Sequence, residues 1–126
     1  IDPCGKAIRL NNINFNLDKS DILPASEPDL MYVVNLMKKN PGVKVELSSH
    51  TDSRASNAYN QKLSQRRADS SVNYIVSKGI DRSRLISRGA GETELLNKCA
   101  DKVPCTEEEH RINRRTEFKI LCVDKY

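Results

Sequence analysis

The chain has 126 residues, 37% of them apolar and 30% charged, with a formal net charge of +4. This is long enough to bury one core without metal or disulfide staples, so residues 1–126 are expected to form a single domain. No apolar run approaches the roughly 20 residues of a membrane-spanning helix. Aromatic residues make up 5% with no Trp, and the basic residues are scattered, which together argue against nucleic-acid binding by base stacking.

No secretory signal peptide is present. Ile1 to Gly5 read as a cut point within a larger protein, with any targeting signal upstream. The first strand is expected over Ile8, Leu10, Ile13 and Phe15, with the period-two phase broken at Asn11–Asn12. A polar loop, Asn16 to Asp21, leads to a helix over Pro24–Lys39. Its Leu30, Val33, Val34 and Met37 fall at i, i+3, i+4, i+7 and form one apolar face. Asn40-Pro41-Gly42 stops it.

Val43, Val45 and Leu47 alternate with polar residues as a half-buried strand. A second helix is predicted over Asn57–Lys78, with Ser56 as N-cap, Ala68, Val72, Ile75 and Val76 facing the core, and Gly79 ending it. A turn at Asp81–Arg84 precedes a third strand over Leu85–Arg88, which Gly89 and Gly91 should break. The segment Glu92–Asn113 is mostly polar, with a short helical turn expected at Thr106–Glu109. The last strand, Arg115–Val123, shows Thr116, Phe118, Ile120 and Cys122 on one face. The order β-α-β-α-β-β predicts an α/β (α+β) sandwich, a mixed four-stranded sheet with two main helices on one face. Helix-linked strands should be parallel neighbours, and the final strand should add antiparallel.

The four cysteines form no CxxC pair, and the two histidines are far apart, so no metal site is expected. Cys99 and Cys105 bracket a short loop, and a bridge there is worth roughly 2.4 kcal/mol. Cys4–Cys122 would tie the ends together for roughly 5 kcal/mol. Two bridges imply an oxidising compartment such as the periplasm; the alternative is four reduced, partly buried thiols.

Ser48 to Ala68 is the chemically informative stretch. Asn60, Ser64 and Arg67 share one side of the second helix, and the preceding loop can fold Asp52 toward it. A carboxylate, an amide, a hydroxyl and a guanidinium around one cleft suit an amino-acid zwitterion, ammonium on Asp52 and carboxylate on Arg67. The plainer alternative is that Asp52 and Arg67 simply pair with each other, for about 0–1 kcal/mol.

The same stretch resembles the C-terminal domain of the OmpA family, which includes the peptidoglycan-associated lipoproteins. The family pattern T-D-x-x-G-x-x-x-x-N-x-x-L-S-x-x-R-A is matched by Thr51-Asp52, Asn60, Leu63-Ser64 and Arg67-Ala68. Phe15 to Ser20, Arg88 to Glu92 and Asn113 to Phe118 also look like family segments, so the likeness covers almost the whole chain. What the resemblance implies is non-covalent binding of peptidoglycan, in the periplasm at the outer membrane of a Gram-negative bacterium. Asp52 would take the ammonium of diaminopimelate in the stem peptide and Arg67 its carboxylate. Asn60 and the backbone of Asn16, Leu17 and Asp18 would complete the pocket. The family's Gly falls on Ala55, which would be strained by about 1–2 kcal/mol if that position needs a positive φ.

A hydrolase built on Ser49, His50 and Asp52 is disfavoured, because such near neighbours in sequence do not converge as a triad; His50 is expected as a cleft wall or strand-end residue. No phosphate-cradling glycine loop precedes a helix. No catalytic residue, cofactor or metal is therefore assigned. The remaining alternative is a protein-interaction or dimerisation module of an envelope complex, using the insert Glu92–Asn113.

Overall fold

The computed structural model describes residues 7–10, 13, 15, 19–100 and 102–121. Among the described residues the main helices and strands are β1 (Ala7–Leu10), α1 (Glu27–Lys39), β2 (Val45–His50), α2 (Asn57–Ser77), β3 (Leu85–Gly91), α3 (Glu107–Asn113) and β4 (Arg115–Ile120). The sheet is mixed and four-stranded, in the order β1-β4-β2-β3. β2 and β3 are parallel, Val45 opposite Leu85. β4 is antiparallel to both its neighbours, with Phe118 opposite Ile8 on one side and Leu47 on the other.

The expected mixed sheet is present, with one change of neighbour. β1 and β2 run the same way, but β4 lies between them. β4 buries Thr116, Phe118 and Ile120 on one face, Phe118 at 1% exposure. β1 also ends at Leu10, earlier than expected; Ile13 is nonetheless buried and Phe15 half-buried, so both apolar side chains serve the core from coil.

Each main helix buries the face that its periodicity predicts. Leu30, Val33, Val34 and Met37 of α1 are fully buried, as are Ala68 and Ile75 of α2, and Val72 nearly so; Val76 packs at the margin. They meet Val45, Leu47, Leu85, Phe118 and Ile120 from the sheet. Each such apolar side chain contributes about 1.5–3 kcal/mol by leaving water. A 3-10 turn at Pro24–Ser26 precedes α1, and Pro28 sits in its first turn, where a missing N–H is harmless. Arg84 closes the other end, donating to the carbonyls of Met37, Asn40 and Val43. Gly79 follows α2 with φ +103°, the left-handed residue that ends it.

β3 does not stop at Gly89 but runs through to Gly91. The reason is the approach of α2. A Cβ on Gly89 would lie 2.3 Å from the backbone nitrogen of Gln65 and 2.5 Å from its Cα. Glycine here lets helix and strand backbones touch rather than ending the strand. Three side chains stitch the seam: Ser64 Oγ accepts from Gly91 N (2.8 Å), Gln65 Oε1 accepts from Gly89 N (2.9 Å), and Gln61 donates to the Gly89 carbonyl.

The opposite face of the sheet carries charge. Arg88 bridges Glu46 and Glu94, and Arg115 pairs with Glu117 at 2.6 Å. Arg115 also donates to the carbonyls of Asn113 and Glu94, tying the segment before β4 to this face. That segment forms α3, longer than the single turn expected, because Thr106 and Glu109 make a reciprocal capping box. The Cys99–Cys105 bridge is present, with an S–S distance of 2.02 Å. Cys4 and Cys122 lie outside the described residues. No helix among the described residues is long and apolar enough to cross a membrane.

Candidate functional site

Where β2 ends and α2 begins, the chain opens onto a cavity of about 540 Å³. Its lining includes Asp52 from the connecting loop, Asn60, Leu63 and Arg67 from α2, and Phe15 and Ile13 from the segment after β1. His50, Arg54, Glu107, Arg114 and Arg115 complete the polar wall. The loop is shaped locally. Ser56 Oγ accepts from Tyr59 N as the N-cap of α2, and Asp52 Oδ1 accepts from Arg54 N at 3.0 Å, a side-chain turn of the kind Asp favours. Ser53 Oγ donates to the Cys99 carbonyl, which fastens the loop to the disulfide segment.

Asp52 and Arg67 line the same cavity, and they are not simply each other's partner. The Asp52 carboxylate accepts from Arg54 Nη2 and Arg114 Nη1, both at 2.8 Å, and from Arg54 Nε at 3.2 Å. Both arginines also hold Glu107: Arg54 Nη1 at 2.8 Å and Arg114 Nη2 at 2.5 Å. Asp52, Arg54, Glu107 and Arg114 thus form a closed ring of alternating charge. Burial alone would push the Asp52 carboxyl up, but the hydrogen bonds from Arg54 and then Arg114 outweigh it and hold it down to about 2.

Arg67 is anchored separately. Its Nε donates to the Lys19 carbonyl at 2.8 Å, and its guanidinium carbon stands 4.8 Å over the Phe15 ring centroid. Of the lining residues, Arg54, Arg67, Arg114 and Arg115 are cationic against Asp52 and Glu107, so the wall as a whole favours anions.

Asn60 lines the cavity while its Nδ2 is turned to the loop, reaching the carbonyls of Asp52 and Ala55 at 3.2 Å and Glu92 Oε1 at 3.0 Å. It therefore holds the Asp52 loop from inside. Ser64 is not in the cleft: it is fully buried against β3, donating to the Gln61 carbonyl. Its i, i+4 spacing from Asn60 put it on the right side of α2, but the close approach of Gly91 took it for the seam. Ala55 carries no strain, since Lys102 is the one non-glycine with positive φ among the described residues. Asn16, Leu17 and Asp18 lie outside the described residues.

His50 is both the last residue of β2 and a wall of the cavity. Its Nε2 is 3.0 Å from Ser48 Oγ and 3.6 Å from Glu117 Oε1, while Nδ1 is buried with no hydrogen-bond partner among the described residues. Hydroxyl and carboxylate thus approach the same nitrogen. A triad needs them on opposite nitrogens, so this is not a nucleophile-activating arrangement. Burial, then the Arg115 cation, lowers the His50 imidazole to about 4 against the pull of Glu117, keeping it neutral near pH 7.

Arg54, Glu107 and Arg114 were not among the expected site residues. Arg114 lay in a recognised family segment, but nothing in its spacing said that β4 would return beside the end of β2.

Comparison with known proteins agrees with the fold. The sequence matches the OmpA family over residues 14–108. Outer membrane porin F of Pseudomonas fluorescens is 37% identical over 119 residues, 94% of this chain and 35% of the porin, so the chain spans about a third of that relative. Among solved structures, the peptidoglycan-associated lipoprotein from Burkholderia pseudomallei superposes with a TM-score of 0.75 at 18% identity, over 86% of this chain and 87% of the lipoprotein. The cell wall anchor of the T6SS from Pseudomonas aeruginosa gives 0.73 at 25% identity, over 93% and 80%. The matched residues take in the Asp52 loop, all of α2 and β3, and the chain belongs to the OmpA family.

Proposed function

We propose that this chain is a non-covalent peptidoglycan-binding module rather than an enzyme. It grips the diaminopimelate of the stem peptide and anchors a periplasmic or outer-membrane assembly, of which it is one part, to the wall of a Gram-negative cell. The observation that carries the reading is one cavity lined by both a carboxylate held ionised, Asp52, and an α2 guanidinium, Arg67. Asp52 takes the ammonium of the ligand's amino-acid centre and Arg67 its carboxylate, each charge-assisted bond contributing about 1.5–3 kcal/mol. Asn60 keeps the Asp52 loop in register. Relatives described as a peptidoglycan-associated lipoprotein and a cell wall anchor support the same class of ligand.

The test is co-sedimentation with purified sacculi and calorimetry with free diaminopimelate. The native protein should pellet and give a saturable heat; Asp52→Ala and Arg67→Ala should each lose both. Wall binding that survives both changes contradicts the site. A second reading, an interaction module, is favoured by Leu96, Val103 and Ile112, exposed on the segment before β4. It predicts that the protein stays with its envelope partner and leaves sacculi in the supernatant.

A further inference from the structure

An ionised carboxylate offers about four lone-pair sites. Asp52 already meets four donors of its own chain, one on Oδ1 (Arg54 N) and three crowded on Oδ2 (Arg54 Nε, Arg54 Nη2 and Arg114 Nη1). An incoming ammonium therefore meets a carboxylate whose charge two guanidinium groups already share, and a full ion pair on Oδ2 requires one of them to leave. The Arg54 backbone N–H is fixed by the turn. Arg114 is pinned between α3 and β4 and about one-third exposed. The Arg54 side chain stands on the loop, 49% exposed, and already touches a second anion, Glu107 Oε1, on its far side. It can release Asp52 and stay on Glu107.

We propose that Arg54 is a resident competitor for the ligand's ammonium, and that its displacement onto Glu107 makes the site selective for a zwitterionic centre over a simple amine. The inference rests on the reading of Asp52 and Arg67 given above. Its physical basis is an exchange. One cation replaces another on the same carboxylate, so the ammonium's gain at Asp52 is reduced by the loss of the Arg54 contact. Net affinity then needs the second anchor as well, the ligand carboxylate on Arg67. An amine without that carboxylate has no reason to displace Arg54. Without Arg54, Asp52 keeps Arg114 as its resident cation and accepts amines more readily.

The experiment compares diaminopimelate with 1,5-diaminopentane, the same carbon chain without its carboxylates, by calorimetry on the full chain. The native protein should bind the first and not the second. Arg54→Ala should tighten diaminopimelate about threefold to tenfold, the range of a half-exposed ion pair, and should begin to bind diaminopentane. Arg54→Lys, which restores a cation, should recover the native preference. In the unaltered protein, the Arg54 Nε–H resonance should shift on adding diaminopimelate while that of Arg114 stays in place. This last measurement needs no variant. Arg54→Ala binding more weakly, or an Arg54 signal that ignores the ligand, overturns the inference while leaving the site intact. Native protein blind to diaminopimelate, or Asp52→Asn binding as well as native, overturns the site itself and this inference with it.

Discussion

Replacing Gly89 by alanine tests how the fold sets the span of the site. The added Cβ would lie 2.3 Å from Gln65 N and 2.5 Å from Gln65 Cα, both backbone atoms of α2 that no rotamer change can move. Ordinary contact is about 3.5 Å, so α2 has to retreat from β3 by about 1 Å. That strains the three hydrogen bonds of the seam, Ser64 to Gly91 and Gln65 and Gln61 to Gly89. Overpacking usually costs about 1–3 kcal/mol, and a backbone-on-backbone clash belongs at or beyond the upper end. For a chain of this length, about 3 kcal/mol lowers Tm by roughly 10 °C. The site suffers as well. α2 carries Arg67 two residues beyond Gln65, while Asp52 is held from the end of β2. A preorganised site tolerates about 0.5 Å of displacement, so diaminopimelate affinity should fall even where the variant is fully folded. Thermal unfolding followed by circular dichroism reads the first effect, and calorimetry at a temperature below the melt reads the second. A Gly89→Ala protein with native Tm and native affinity would refute the close-approach account of this glycine.

Stability should also depend on His50. Its imidazole is lowered from 6.5 to about 4 by burial and by Arg115, so between these values the unfolded chain takes a proton that the folded chain refuses. Stability therefore falls as pH drops from 6.5 towards 4, on the order of 2–3 kcal/mol in all. Urea titrations should show that slope in the native protein and a flatter one in His50→Gln. Asn60→Asp should destabilise more than Asn60→Ala, by about 1–3 kcal/mol, because it faces a carboxylate to the carbonyls of Asp52 and Ala55 and to Glu92; an equal loss in both would argue against the donor role. Removing the bridge with Cys99→Ser and Cys105→Ser should cost about 2.4 kcal/mol, and sacculus binding should weaken because the Ser53–Cys99 contact braces the Asp52 loop. Thr106→Ala should cost about 1 kcal/mol by removing the capping box of α3, seen as faster amide exchange confined to Glu107–Asn113.

Several features were legible from local chemistry. The apolar faces of α1 and α2, the Ser56 cap, the Gly79 stop and the Thr116, Phe118 and Ile120 row of β4 each follow from neighbours in sequence, and each is found where expected, although β4 ends at Ile120, short of the expected Val123. The Cys99–Cys105 bridge follows in the same way, its partners being six residues apart. Glycine's usual role as a strand breaker predicts an end at Gly89, yet β3 runs on to Gly91. Its cause, the backbone of α2, is more than twenty residues away in sequence. Ser64 was assigned to the cleft for a related reason: helical spacing gives a side, but not which neighbour occupies that side.

Sequence alone therefore decided which segments are helix or strand and which residues they bury. Those are short-range properties, set by period, cap and turn chemistry. Only the tertiary structure decided that β4 enters between β1 and β2, and that entry brings Arg114 and Glu107 beside Asp52. Long-range pairing is governed by which faces can be covered together, and no window of neighbouring residues contains that information.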